Sequence, residues 1–266
     1  MRELFRRHPL PLFFLLAFSG FWACLALDRV PRLHYWVPFL GVFAPAVAAI
    51  IVTGMSDGES GIRRLMQRLG RWRVRPQWYA IAIGLPIMQA LIATTVAVLL
   101  HKYKGLSLDA LRPILPSMWV VFIFATGEEL GWRGFALPHL LARYRAVYAS
   151  LILGTLHSVW HWPLILLPHG LMSDLPLLPW TAAVLAEAIV FTWIFQNTGG
   201  SVLLAVLFHG TVNNSMLLFD AIDATWMPWI KSGICVVTGV AVLLAAGPDL
   251  TRKERPLPSV SASATR

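Results

Sequence analysis

The sequence predicts an all-α, polytopic membrane protein with about eight transmembrane helices. Three observations carry that prediction. The chain of 266 residues is 57% hydrophobic and only 13% charged, whereas soluble domains carry about 25% charged residues. Its apolar residues, at a mean hydropathy of +0.66, gather into runs of the ~20 residues that cross a ~30 Å hydrocarbon core. The basic residues behind the net charge of +9 sit in short connections between those runs. That placement is a positive-inside bias, not a duplex-binding face, so membrane lipid is expected as a partner and nucleic acid is not. Cys24 and Cys235 lie in separate apolar runs. Their spacing suits neither a disulfide framework nor a metal knuckle, so both read as small buried hydrophobes.

The elements follow in order. A basic N-terminus with Arg2, Arg6 and Arg7 precedes the first run, residues 10–27. The bulky Phe21 and Trp22 leave no small-x-small cleavage site, so this run reads as a spanning helix and not a secretory signal. A second span covers 35–53. In 58–75, Ile62, Leu65, Met66 and Leu69 recur at helical spacing with arginines opposite, the pattern of a short interfacial helix on an anionic leaflet or of a solvated basic loop. Pro76 opens the third span, 78–100. A polar link with Lys102, Lys104, Asp109 and Arg112 leads to the fourth, 114–137. The loop of Arg143 and Arg145 precedes a fifth at 146–167, and a sixth covers 177–195. Gly199 and Gly200 make a tight turn into the seventh, 202–219, and the eighth is 226–246. Residues 1–248 thus form one membrane domain, and 249–266 a polar tail expected to be disordered. Eight spans put the 58–75 segment, the Arg143/Arg145 loop and both termini on one side. The other side holds chiefly Arg29, Arg32, Lys102, Lys104 and Arg112. The bias then places both termini in the cytoplasm, with a bacterial inner membrane the expected location. Trp36, Trp78, Trp180, Trp226 and Trp229 fall near span ends, as interfacial anchors do, while Trp132, Trp160 and Trp162 flank polar residues.

Those polar residues carry the functional reading. A charge near the bilayer centre costs roughly 2.5–3.5 kcal/mol on insertion scales, so it persists where it faces protein or a wet cavity. Glu129 and Arg133, four apart on the fourth span, share a helix face and can pair. Glu128 points ~100° away from its neighbour, free to act as a general base while Glu129 and Arg133 support it. His157 and His161 share one face of the fifth span, and His209 and Asn213 one face of the seventh. If these faces converge, they supply a base, an imidazole to share a water, and two donors for an oxyanion. No serine or cysteine accompanies them, so no acyl-enzyme is expected. The same residues permit other readings: a structural ion-pair cluster, a proton relay in a transporter, a non-catalytic immunity or scaffold protein, or a zinc site. Glu128, His157, His161 and His209 are the candidate zinc ligands of that alternative, although the favoured reading uses no cofactor. Glu187 and Lys231 suggest a bridge between the sixth and eighth spans.

The ordered motifs Glu128-Glu129-x-x-x-Arg133, a Gly154–Pro163 run containing His157 and His161, and His209-x-x-x-Asn213 resemble the CAAX prenyl protease and bacteriocin-processing family. Residues 197–201, just before the last motif, also look like bacterial members. The resemblance covers 114–218. It implies an intramembrane glutamate endopeptidase with a conical polar cavity, acting on a peptide or protein substrate with or without a lipid. By the resemblance, Glu128 and His161 activate the water, His209 and Asn213 bind the oxyanion, and Glu129 and Arg133 support them. One departure stands out: the family usually has an aromatic residue four before the second-motif histidine, where this chain has His157. That histidine is either a supporting donor or a reason to consider metal. The resemblance leaves the natural substrate and the oligomeric state open.

Overall fold

A computed structural model describes residues 2–27, 37–105, 118–167, 170, 172–219 and 222–251. The regular structure of the described residues is helical, apart from a single β-bridge between Tyr103 and Ile222. Its elements are α1 (Arg2–Arg7), α2 (Pro9–Leu27), α3 (Val37–Gly41), α4 (Ala44–Leu69) and α5 (Pro76–Leu99). Then come α6 (Met118–Gly131), a π-helical turn (Trp132–Ala136), α7 (Leu137–Leu141), α8 (Ala146–Leu166), α9 (Leu177–Asn197), α10 (Val202–Phe219) and α11 (Met227–Ala246). Among the described residues, five helical stretches are long and apolar enough to cross a membrane: Pro9–Leu27, Phe39–Leu69, Pro76–Leu99, Leu177–Asn197 and Met227–Ala246. The chain is an all-α, polytopic integral membrane protein.

Two expected boundaries change. The second span and the amphipathic segment after it form one helix, α4, broken at Gly58. Gly58 has φ +68°, a conformation that costs glycine little because it has no Cβ. The amphipathic limb also ends at Leu69, before Gly70, and not at residue 75. Pro76 then opens α5 in its first turn, where a missing N–H leaves no helix bond unmade. The fourth span is not one uniform helix either. Directly after Gly131 the chain takes a π turn and resumes as α7; residues 114–117 lie outside the described residues. π turns of this kind gather at functional sites because they change the phase of the side chains that follow.

The motif helix α6 sits between α4 and α10; α10 packs on α5, α8 on α9, and α9 on α11. Two close approaches hold α6 there. A Cβ on Gly131 would lie 2.5 Å from the Pro45 backbone in α4, and one on Gly210 of α10 would run into the Phe122 ring. Small residues at such crossings let helix backbones approach in lipid, where packing and not the hydrophobic effect drives association. On the α2 side, Trp160 stacks on Phe21 with ring centroids 3.9 Å apart and donates Nε1–H to the Ala17 carbonyl at 3.1 Å. Trp132 and Trp160 are fully buried core fillers. Trp78, expected as an interfacial anchor, is also buried and packs against Trp193.

The connections sort to two ends of the bundle. At the first, Arg6 donates to the Ser56 carbonyl, Ser201 to the Arg71 carbonyl and Arg71 to the Gly199 carbonyl, while Arg145 pairs with Asp249 at 3.0 Å. Gln196 and Asn197 also donate to the Asp249 and Leu250 carbonyls. The start of the expected tail is therefore tied down, and 252–266 lie outside the described residues. The hydrogen bond from Arg145 holds the Asp249 carboxyl below the usual carboxylate range. At the other end, Lys104 pairs with Asp223 at 3.5 Å and the Asp223 N–H donates to the Lys102 carbonyl.

Candidate active site

Each of the polar faces read from the sequence comes to one cavity of about 230 Å³. Glu128 of α6, His157 and His161 of α8, and His209 and Asn213 of α10 all line it, together with Arg133 from the π turn. The i, i+4 spacing puts each pair on one face of its helix, and the packing of α6 on α10, and of α8 on the α7 that continues α6, turns those faces inward.

The two glutamates part company as their ~100° separation requires. Glu129 is fully buried and does not line the cavity. Its Oε1 accepts from Arg133 Nη1 at 2.7 Å and from His209 Nδ1 at 2.8 Å, so it links α6 to α10. The Arg133 guanidinium also lies 3.6 Å from the centroid of the Phe191 ring, a desolvated cation–π contact that joins α9 to the group. Glu129 Oε2 and Arg133 Nε make no hydrogen bond among the described residues. Glu128, by contrast, faces the cavity, and its Oε2 is 2.9 Å from His157 Nε2.

His157 therefore takes the direct contact with Glu128. His161 is one turn further on, with its Nδ1 3.0 Å from the His157 carbonyl; that bond leaves Nε2 as its remaining ring nitrogen. His209 likewise commits Nδ1 to Glu129. Asn213 is exposed in the cavity and makes no hydrogen bond to a described residue.

A comparison with known protein families points to this same region. Residues 110–215 match the family described as "Type II CAAX prenyl endopeptidase Rce1-like". Over this segment the chain is similar to that family. It is also 29% identical over 136 residues to CAAX prenyl protease 2 of Methanococcus maripaludis, an overlap of 49% of each chain. The chain thus spans about half the length of the curated relative it matches.

The family segment holds α6, the π turn, α8 and most of α10, and so every residue named so far in the cavity. One of these participants was not singled out from the sequence. Phe191, which stacks on Arg133, reads as one more apolar residue of a spanning run, although it stands one helical turn after Glu187. Glu187 and Lys231, expected to pair, both line the cavity, and Glu187 Oε1 accepts from Cys235 Sγ at 3.4 Å. Cys235 is buried, as expected, yet it serves as a donor. Cys24 is only half-buried.

One donor set is also suited to a metal. One ligand atom each from Glu128, His157 and His161 lies within 4.8 Å of the others. A tetrahedral zinc holds its nitrogen ligands at about 2.0–2.1 Å, so small side-chain movements bring all three to one ion. Tying Nδ1 of His161 to a carbonyl is the support commonly given to a ligating imidazole. The residues present fit zinc as three ligands with a position left open.

Proposed function

We propose that this protein is an intramembrane endopeptidase that hydrolyses a peptide bond with a water activated by Glu128. The observation that carries the proposal is the meeting of Glu128, His157, His161, His209 and Asn213 from three helices at one cavity. A charged residue set in a bilayer is costly unless it faces such a space, and a carboxylate beside imidazoles there is the equipment of general base catalysis. In this reading Glu128 takes a proton from the water and His157 orients the carboxylate. His161 shares the water through its remaining nitrogen. His209 and Asn213 stabilise the oxyanion of the tetrahedral intermediate. An Nε2–H donor at His209 requires the doubly protonated ring, with Nδ1–H given to Glu129. The proton held by Glu128 then passes to the leaving amine, and no acyl-enzyme forms. The relative's name points to a CAAX-type peptide or protein substrate. The apolar walls at Met172, Leu175, Pro179 and Val184 suit apolar side chains or a lipid beside the scissile bond.

The Glu128→Gln protein tests this. Cleavage of a peptide substrate in detergent or vesicles should fall by about 10²–10⁴, the usual contribution of a positioned acid or base, with the thermal transition unchanged. Full retained cleavage would sink the glutamate mechanism. Protection of a partner by wild type without any cleavage would favour the immunity or scaffold reading instead.

The close approach of Glu128, His157 and His161 favours one second reading, the zinc-dependent form of the same protease. Zinc would supply Lewis acidity and a lowered water pKa, held by those three residues. The substitution His157→Phe separates the two forms, since it removes one ligand and installs the aromatic residue usual in the family. The water-only form predicts activity within about tenfold of wild type, the worth of one ordinary hydrogen bond, and indifference to exhaustive chelation. Loss of both bound zinc and activity in His157→Phe would establish the metal form.

A further inference from the structure

The cavity has a direction. It takes its walls from Met172 and Leu175 in the connection after α8, from Pro179 and Trp180 at the start of α9, and from Met227 and Pro228 at the start of α11. All of these belong to the end of the bundle where Lys102, Lys104 and Asp223 meet. None of its lining residues comes from the connections at the other end, where residues 56–75, 143–145, 197–201 and 249 are hydrogen-bonded together. That other end carries the arginines of α1, of 63–75 and of 143–145. An excess of Lys and Arg in short connections marks the cytoplasmic side of a membrane protein. The arginine-rich end is therefore cytoplasmic, and the cavity opens away from it.

We infer that the site is reached from the extracytoplasmic face of the membrane, so that the substrate is a peptide segment presented on that face. This rests on the proposed proteolysis for the word substrate, but the direction of access stands on the cavity and the charges alone. Depth sets the form of the segment. Glu128 stands about 15 Å along α6 from Met118, which is at the end of that helix nearest the mouth, at 1.5 Å per residue. An extended strand advances about 3.3 Å per residue, so about five extended residues bridge the mouth and Glu128. An unwound end of a membrane segment, or the apolar terminus of an exported peptide, has that form; a folded domain or an intact helix about 10 Å across does not suit a cavity of this size.

The test is thiol accessibility of the full-length protein in the plasma membrane of intact bacterial cells, in a background where Cys24 and Cys235 are replaced by alanine. Single cysteines are placed at Leu175 on the cavity wall, at Tyr103 on the same end outside the cavity, and at Ser60 on the arginine-rich end. A membrane-impermeant maleimide should label Leu175→Cys and Tyr103→Cys in intact cells, and Ser60→Cys only after lysis. Labelling of Ser60→Cys in intact cells, or of Leu175→Cys only after lysis, overturns the inference. So does a Leu175→Cys that stays unlabelled before and after lysis while Tyr103→Cys reacts, because the mouth is then closed to that face. The readout is independent of cleavage, so an inactive protein that labels as expected would count against the proposed activity and not against the direction of access.

Discussion

Glu128 and Glu129 are chemically identical neighbours with opposite surroundings. One residue of helical rotation sends Glu129 into the protein between Arg133 and His209 and sends Glu128 to His157 and the cavity. Glu129 neutralises a guanidinium that is itself buried, so removing its charge leaves Arg133 without an anionic partner. Breaking a buried pair from one side costs about 3–5 kcal/mol. The Glu129→Gln protein should therefore lose stability by roughly that amount, seen as a lower thermal transition or a smaller folded yield in detergent. Glu128→Gln should not. Equal stability of the two variants would mean that the division between the glutamates is wrong. His157 acts at the same scale: it gives Glu128 a hydrogen-bond partner at 2.9 Å and completes a set of three candidate metal ligands.

Among the elements, α6 does the most to assemble the site, because it is gripped on both sides. Gly131 rests against the Pro45 backbone and Phe122 lies over Gly210. The contact at Gly131 is with backbone, which cannot swing aside as a side chain does. Gly131→Val should push α6 from α4 and cost about 1–3 kcal/mol, the usual price of overpacking, lowering the thermal transition without touching a polar residue of the cavity. An unchanged transition would show that the α4–α6 crossing is looser than its geometry. The π turn that begins at Trp132 follows directly, and with it Arg133 reaches both Glu129 and the Phe191 ring.

At the scale of the whole molecule, the family segment is not a free-standing unit. It supplies α6, α8, α9 and α10, but α6 packs on α4 and α10 on α5, and α11 closes the cavity with Met227, Pro228 and Lys231. A fragment of residues 106–266 expressed alone should aggregate in mild detergent, and co-expression with residues 1–105 should restore a single monodisperse species by size-exclusion chromatography. A monodisperse 106–266 fragment would show that α2, α4 and α5 are dispensable to the fold.

Much of this was legible in the residues themselves. Apolar run lengths predicted the helices, because a lipid core demands ~20 apolar residues per crossing whatever the neighbours are. The start of α5 at Pro76 and the turn at Gly199–Gly200, two glycines with positive φ, follow from local chemistry too. Helical spacing alone also paired Glu129 with Arg133, since that contact lies within one turn. The kink at Gly58 and the π turn at Trp132 were not legible, because a glycine in a polar stretch, like a tryptophan in an apolar run, tolerates several backbones and packing selects one. Nor was the choice of His157 over His161 as the partner of Glu128, or of His209 as the second partner of Glu129. Those contacts join residues 29 and 80 positions apart. The sequence by itself determined that polar faces exist on three membrane helices and which residues share each face, since both follow from the period of a helix. Only the tertiary structure decided that the faces meet at one cavity, and at which end it opens, because the rotation and depth of each helix are set by how its neighbours pack.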